Sequence, residues 1–552
     1  MLINALHILI QLKKQLKEKD IKNIQTILYK QIKNPSSKST KFNSKNLKVD
    51  QNPNQQKGVK NLVKKIIDKM EDKLIVKDLS DQKSQISQLS NGKKVDLESK
   101  WLHALVHTLT MSGYFHAVAF NLLTQLMVYA DTVNHMYLFC LGTVFGLGMA
   151  FGLSQNMNKR KIIVFADFVY AIGIGAAFLT YSYYMICSVF LGLSVSVCIF
   201  ALLLDIKEFV PHSSYLAKHM SIYQVYYCIG LLVSQLTQIN LNSIYNSSSG
   251  AFNAKEFGNG QLAFLIVTLC LVVIRGIVLM TVFRISTPFE IIRFQQPRDK
   301  FLTSVHKLYS VHDEQSIRSQ VVQKYNQSYI MPENKSNPKF WKEVFEGFLL
   351  NFFAQTSGCQ IFMNTQQITI GNENLQSLSN WLLLVIGLCG LVGSVVAFFI
   401  VNRYTRIRWA QIGLISTIIC QGLLAVFTKN NIDTFGIFCA FHLLINICFL
   451  QAIYSFCAQK FLEKGLVICH FGLWLGFFVS IIVFYYGFIQ MDTYSPVSFI
   501  VFSATSFVGL VFISFYAEEP AECRYLESEQ KKVPFEPDIS VNGDNKSQRS
   551  GF

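Results

Sequence analysis

The chain has 552 residues, 51% of them hydrophobic and only 15% charged, with a formal net charge of +16. Soluble domains carry roughly 25% charged residues, so this composition excludes an ordinary soluble globular protein and points to a polytopic membrane protein. No metal-ligand cluster, nucleophile constellation or phosphate-binding loop stands out, so neither an enzyme nor a cofactor is expected.

Much of the positive charge lies before Trp101, in "KKQLKEKD", "KSTKFNSKNLK" and "KGVKNLVKKIIDKMEDK". Residues 1–100 read as a basic, partly disordered cytoplasmic extension beside anionic lipid. No aromatics interleave with the lysines, so nucleic acid is not an expected partner. The short apolar run "LINALHILIQL" lacks the basic leader and small-residue cleavage site of a signal peptide. It reads as a brief amphipathic helix on the membrane surface.

Apolar stretches of about 20 residues then follow, the length that crosses a hydrocarbon core. They fall near 103–129, 136–154, 161–181, 184–205, 219–240 and 261–283. After a polar linker they resume near 342–365, 379–401, 408–428, 434–456, 466–488 and 495–515. The predicted fold is therefore all-α, with twelve transmembrane helices in two six-helix pseudo-repeats. The halves span 101–283 and 341–515, separated by a small cytoplasmic helical domain at 284–340 and followed by a cytoplasmic tail at 516–552.

Charge sets the orientation. "NMNKRK", "RFQQPRDK", "NRYTRIR" and "KFLEK" fall on the side of the lysine-rich extension, whereas "ADTVNH" and "NSIYNSSSGAFNAKEFGNG" are poor in Lys and Arg. Both termini are thus expected in the cytoplasm. The Asn246 sequon would then face the opposite side and accept a glycan, while those at Asn326 and Asn545 would stay bare. Plasma membrane and internal vesicular or vacuolar membranes are equally compatible. The 13 cysteines form no CxxC pair, and all but Cys523 lie in apolar stretches, so reduced buried thiols are expected.

One stretch poses a problem. "FAQTSGCQIFMN", from Phe353 to Asn364, falls inside a predicted continuous helix yet carries Gln355, Ser357, Gln360 and Asn364 around Gly358. Amides in hydrocarbon need a protein partner or a visiting ligand. Helix-to-helix hydrogen bonding and a polyol-binding wall both remain open for these residues.

Five stretches together resemble the sugar porter family of the major facilitator superfamily. "GLSQNMNKRK" occupies the place of G-x-x-D-R-x-G-R-K, keeping Lys159, Arg160 and Lys161 but with Gln155 and Asn158 for the acid and the glycine. "KEFVPHSSYLAKHMSIYQVYYCIGLLVSQL" resembles E-x-x-P…R-G…Q…G through Glu208, Pro211, Gln224 and Gly230; Gln235 falls where some members carry a second glutamine, and Lys218 is near the missing R-G pair. Pro288 stands where P-E-S-P-R opens the central domain, and "AQTSGCQIFMN" is similar to Q-Q-x-S-G-I-N-A. "VNRYTRIR" resembles V-D/E-R-x-G-R-R, keeping Arg403 and Arg406, with a faint echo of the family's tail in "EEPAECRYLE".

The resemblance covers roughly 101–530 and implies transport of a hexose or similar polyol by alternating access. It implies substrate contacts at Gln224, Gln235, Gln355, Gln360 and Asn364, with Trp474, Tyr454, Asn121 and His116 as further cavity candidates. It implies gating roles for Glu208, Arg160, Arg403 and Arg406, and Gln459 in place of an acid leaves the second half's inner gate weakened. The family's proton-coupling acid and base would fall at Phe115 and Ser188, so facilitated diffusion is expected. Tyr454 and Gly390 stand for a tryptophan and an asparagine, which keeps another small solute open as the cargo. A non-transporting sugar sensor on the same fold is the other alternative. The expected partners are a monosaccharide-like small molecule and the lipid bilayer.

Overall fold

A computed structural model describes residues 99–518 apart from 130–133, 178–183, 210–212, 239–258, 295–296, 310–337, 365–375, 431–432, 462 and 490–495. The basic extension, the sequons at Asn246, Asn326 and Asn545 and the C-terminal tail lie outside the described residues. Residues 96–552 belong to one compact unit.

The first predicted span is α1 (Lys100–Thr110) and α2 (Ser112–Tyr129), separated by a single turn residue, Met111. Ser99 caps α1 by accepting from the Leu102 amide at 3.1 Å, a neutral N-cap. The N-terminal half continues with α3 (Asn134–Asn156), α4 (Lys159–Ala177), α5 (Tyr184–Phe209), α6 (Ser213–Gln238) and α7 (Asn259–Thr281). Two short helices follow, α8 (Pro288–Arg293) and α9 (Arg298–Leu308). A reciprocal capping box between Thr287 and Glu290, with Pro288 at the first helical position, starts α8.

The seventh span is α10 (Pro338–Thr356) and α11 (Cys359–Asn364), so the continuous helix expected over 342–365 is interrupted. Gly358 has φ +74°, which ends α10 because side chains other than glycine's are strained there. The half is completed by α12 (Gln376–Ile400), α13 (Arg406–Lys429), α14 (Phe435–Cys448), α15 (Leu450–Lys460), α16 (Glu463–Phe484) and α17 (Val497–Tyr516). The tenth span also breaks, at Phe449, between α14 and α15. These helical stretches occupy the twelve spans read from the sequence, and among the described residues eight are long and apolar enough to cross a membrane by length and composition.

Helices pack closely where glycine allows it. A Cβ on Gly192 of α5 would collide with the Phe139 carbonyl of α3. The halves meet where α6 packs on α12 and α15, and where α3 packs on α16. Phe145, Phe168, Phe399, Phe507 and Phe515 point outward, as expected of a surface solvated by lipid.

Candidate functional site

Buried amides and phenols from both halves converge at the seam. Gln224 on α6 donates through Nε2 to Asn446 Oδ1 on α14 at 2.8 Å, a hydrogen bond that crosses from one half to the other. Asn446 Nδ2 donates to the His442 carbonyl at 2.8 Å, and the Cys228 thiol reaches Asn446 Oδ1 at 3.3 Å. A side chain at Gly390 would come within 3.3 Å of Asn446 Nδ2, so the small residue at 390 leaves room for the amide at 446.

Tyr223, next to Gln224, hydrogen-bonds through its hydroxyl to His116 Nδ1 at 2.7 Å. Its ring meets Tyr454 of the other half edge-on at 6.0 Å. Trp474 of α16 packs with Phe120 of α2 at 6.5 Å and Phe139 of α3 at 6.1 Å, so the aromatic wall also crosses the seam. Asn121, Gln235 and Gln360 are all buried, and the Gln235 amide lies against Gly387 of α12. The Asn364 side chain lies outside the described residues.

The break at Gly358 explains most of the polar residues around it. A helix interruption frees carbonyls that need donors. Ser480 Oγ donates to the Gln355 carbonyl at 2.6 Å, Thr505 Oγ1 to the Thr356 carbonyl at 2.5 Å and Gln421 Nε2 to the Ser357 carbonyl at 2.6 Å. Ser357 Oγ turns back to the Ala354 carbonyl at 2.6 Å. The break also separates Gln355 at the end of α10 from Gln360 in α11, so the two do not lie on one continuous helix as expected. The Gln355 side chain is 2% exposed, and its Oε1 is a buried acceptor without a hydrogen-bond partner among the described residues.

A second cluster sits at the basic end of the bundle. Lys159, wholly buried, pairs with Glu208 Oε1 at 3.0 Å and with Glu463 Oε1 at 3.4 Å. Arg293 of α8 pairs with the same Glu463 oxygen at 2.6 Å, and Gln155 Nε2 donates to Glu463 Oε2 at 2.8 Å. Glu463 opens α16, so the N-terminal half and the linker grip the C-terminal half through one carboxylate. Lys207 Nζ adds a bond to the Phe461 carbonyl at 2.9 Å.

Of the sequence-based gating candidates, Glu208 lies in this cluster and also accepts from Thr287 Oγ1 at 3.1 Å. Arg160 instead pairs with Asp205 at 3.2 Å and donates to the Phe283 carbonyl at 2.9 Å and to the Ile285 carbonyl. Arg406 donates locally to the Val401 carbonyl at 2.5 Å and Asn402 Oδ1 at 3.1 Å, and Arg403 is exposed. The Gln459 side chain lies outside the described residues; the Lys460–Glu346 pair at 3.0 Å and Glu463 place acids at the second half's basic end.

Glu290 of α8 faces the same cluster. Its carboxylate accepts from Asn158 Nδ2 at 2.5 Å, the Lys159 amide at 3.1 Å and the Thr287 amide at 3.3 Å. Burial, then the nearby Glu208 and Asp205 carboxylates, push its carboxyl up to about 8, against the pull of Lys159 and Arg160.

Sequence reasoning missed three features: Asn446, Glu463 and a buried pair between Asp167 of α4 and Arg275 of α7. A signal was present for each. Asp167 and Arg275 are lone charges inside apolar runs, "IIVFADFVYAIG" and "LVVIRGIVLM", where ionisable residues mark function by default. Asn446 is a lone amide in "HLLINICFL".

A family model for the Major Facilitator Superfamily matches residues 101–484. Among solved structures the fold is similar to the proton:xylose symporter XylE bound to 6-bromo-6-deoxy-D-glucose, at 14% identity over 77% of this chain and 99% of that one, with TM-score 0.62. A partially occluded, inward-open form of the xylose transporter XylE from E. coli gives 14% identity, 76% and 99% coverage and TM-score 0.61. The transporter FucP in its outward conformation gives 12% identity, 75% and 98% coverage and TM-score 0.50. No curated protein matches the chain. At these identities the likeness to solved structures concerns the fold.

Proposed function

This chain belongs to the Major Facilitator Superfamily, and from that premise we propose that it carries a hexose or a similar neutral polyol across a membrane by alternating access. One observation supports the cargo class above others. The deeply buried Gln355 Oε1 is an acceptor awaiting a donor, in a protein whose seam holds the Gln224–Asn446 amide pair and the phenols of Tyr223 and Tyr454. Hydroxyl groups both donate and accept, so a polyol satisfies such groups without bringing a charge into the bilayer. The similarity to the sugar porters at Gln224, Gln355 and Gln360 supports the same class.

Two features of the fold suit alternating access. The Glu463 clamp closes the basic end between the halves, and the breaks at Gly358 and Phe449 let short segments move around the site. We read Lys159, Glu208, Arg293 and Glu463 as the inner gate, with both termini on the cytoplasmic side. Transport is proposed to be downhill. Phe115 is a buried aromatic, and Ser188 lies within 3.4 Å of His135 Nδ1, so the two places of the family's coupling pair hold neutral groups.

Uptake of radiolabelled D-glucose, D-xylose and D-mannitol into proteoliposomes tests the reading. Entry of at least one that halts at the external concentration, with or without an imposed proton gradient, is the expected result. Gradient-driven accumulation would remove the downhill reading and make His116 the next proton-carrier candidate. Binding without entry would favour a sensor. The orientation is tested separately by a glycosidase-sensitive band shift that disappears in Asn246→Gln and persists in Asn326→Gln.

A further inference from the structure

We propose that Asp167 and Arg275 form a permanently closed charge staple that positions the solute-facing segment of the first span and thereby sets solute affinity. The proposal rests on reading the amide seam as the solute site.

The pair is deep in the N-terminal half, with Asp167 5% and Arg275 3% exposed. Asp167 Oδ2 accepts from Arg275 Nε at 3.0 Å, and Oδ1 accepts from Nη2, a two-pronged arrangement suited to a planar guanidinium. Neither charge is tolerable there alone, because separating them leaves an uncompensated ion in a low-dielectric interior.

Arg275 then spends its remaining contacts on other helices. Nη1 donates to Ser112 Oγ at 2.6 Å, on the residue that follows the Met111 turn. The guanidinium lies over the Phe115 ring, 4.6 Å from its centroid, and Nη2 also reaches the Cys198 thiol of α5 at 3.8 Å. Ser112 Oγ in turn donates a hydrogen bond to the Leu109 carbonyl at 2.6 Å, on the other side of the turn. One side chain therefore binds α2, α4, α5 and α7 at the point where the first span is interrupted.

The consequence reaches the site within one turn. His116 directly follows Phe115 and fixes Tyr223, which neighbours Gln224 and meets Tyr454 of the opposite half. Four residues beyond His116, Phe120 packs on Trp474. Loosening Arg275 frees the α2 segment that carries these contacts, and this chain of touching side chains is the physical link.

The staple differs from the Glu463 clamp in where its ends lie. Lys159 and Glu463 belong to opposite halves, so rocking the halves must separate them. Asp167 and Arg275 belong to one half, so the same motion leaves them joined. A pair that stays closed acts on geometry throughout the cycle and transfers no proton.

Two variants test this. Asp167→Asn with Arg275→Gln removes both charges together, so neither is orphaned, and Ser112→Ala keeps the pair but cuts its tie to the turn. Radiolabelled D-glucose uptake in proteoliposomes and hydrogen exchange of the purified protein are the two readouts. For the double variant we expect KM to rise about tenfold while the maximal rate changes less than about threefold, the pattern of lost ground-state binding. Amides of 112–120 should exchange about tenfold faster, with those of 359–363 unchanged. Ser112→Ala should move both readouts the same way by less, and it decides the matter if the double variant does not fold.

Unchanged KM together with unchanged exchange at 112–120 would overturn the staple. So would a maximal rate that depends strongly on pH in the natural sequence and loses that dependence in the double variant, which would mean that the pair opens and Asp167 takes up a proton during the cycle. If D-glucose does not enter even with the natural sequence, the exchange readout alone decides. Gln355→Ala separates the two proposals: unchanged KM in that variant removes the solute-site reading and leaves the exchange test of the staple intact.

Discussion

Each half opens with an interrupted helix, and the two interruptions are held by opposite chemistry. In the N-terminal half, the turn at Met111 is bound by a guanidinium whose charge is matched by Asp167. In the C-terminal half, the break at Gly358 is bound by three neutral donors, Ser480, Thr505 and Gln421. A buried charge pair is costly to separate, whereas a hydroxyl or amide bond exchanges for another at about 0.5–1.5 kcal/mol net. The charged interruption is therefore suited to stand still and the neutral one to move.

The sharpest way to break this comparison is to remove one holder from each side. Arg275→Ala leaves Asp167 buried without its cation and is expected to cost about 3–5 kcal/mol, enough to lose most folded protein. Gln421→Ala leaves one carbonyl short of a donor and is expected to cost about 1–3 kcal/mol. Thermal midpoints of the purified variants check both. Equal losses would mean that the two interruptions are held equally rigidly.

The clamp at the basic end comes next. Glu463→Gln keeps the shape but removes the charge that Lys159 and Arg293 share, a loss of about 1.5–3 kcal/mol for charge-assisted bonds. The balance should shift toward the form open at that end, read as faster labelling of a cysteine introduced beside Phe461 from that side. Proton binding supplies a second handle. Glu290 is raised to about 8 in the folded cluster against about 4.3 in an unfolded chain, so protons favour the folded protein. That stabilisation is complete below about pH 4.3 and is lost as pH rises toward about 8, by at most about 1.4 kcal/mol per pH unit. The slope of the thermal midpoint with pH should flatten in Glu290→Gln; an unchanged slope would assign it to another group.

Gly358→Ala tests the mobile interruption directly. The left-handed φ of +74° costs a side-chain residue about 1–2 kcal/mol, and the new methyl would stand 2.8 Å from the Phe502 ring, which must shift. Transport should slow because the break stiffens or relocates, while hydrogen exchange at 112–120 stays as in the natural sequence. Slowing of exchange there as well would show that the two interruptions are coupled.

These differences bear on what the sequence made legible. Spans were readable because twenty-residue apolar runs have few physical alternatives, and the family signatures at Glu208, Gln224 and Gln355 fixed their order along the chain. The break in "FAQTSGCQIFMN" was not readable, since hydropathy does not distinguish an interrupted helix from a continuous one. Its donors come from Gln421, Ser480 and Thr505, between 64 and 149 residues away in the chain. The same distance hid the clamp: Glu463 reads as one loop acid until folding brings it to Lys159, 304 positions earlier. Asp167 and Arg275 were readable as lone intramembrane charges, but their pairing required the packing of α4 against α7.

The smallest effect belongs to the one amide bond that joins the halves at the seam. Gln224 Nε2 donates to Asn446 Oδ1 at 2.8 Å, and both side chains are buried. If these amides are offered to the solute when it arrives, their mutual bond must first be released, so each contributes less to binding than an amide that waits unpaired. Gln224→Ala and Asn446→Ala should each weaken solute binding by about 0.5–1 kcal/mol, or about two- to fivefold. Gln355→Ala, whose Oε1 gives up no protein partner, should reach the upper end of the range at about tenfold. Titration of the purified variants with D-glucose, the probe of the proposed polyol site, measures this order. The double variant of Gln224 and Asn446 should weaken binding by less than the product of the single effects, because the residues touch. A larger effect at Gln224 than at Gln355 would place the main solute contacts in the charged, static half, and the division of labour drawn above would fail at the site itself.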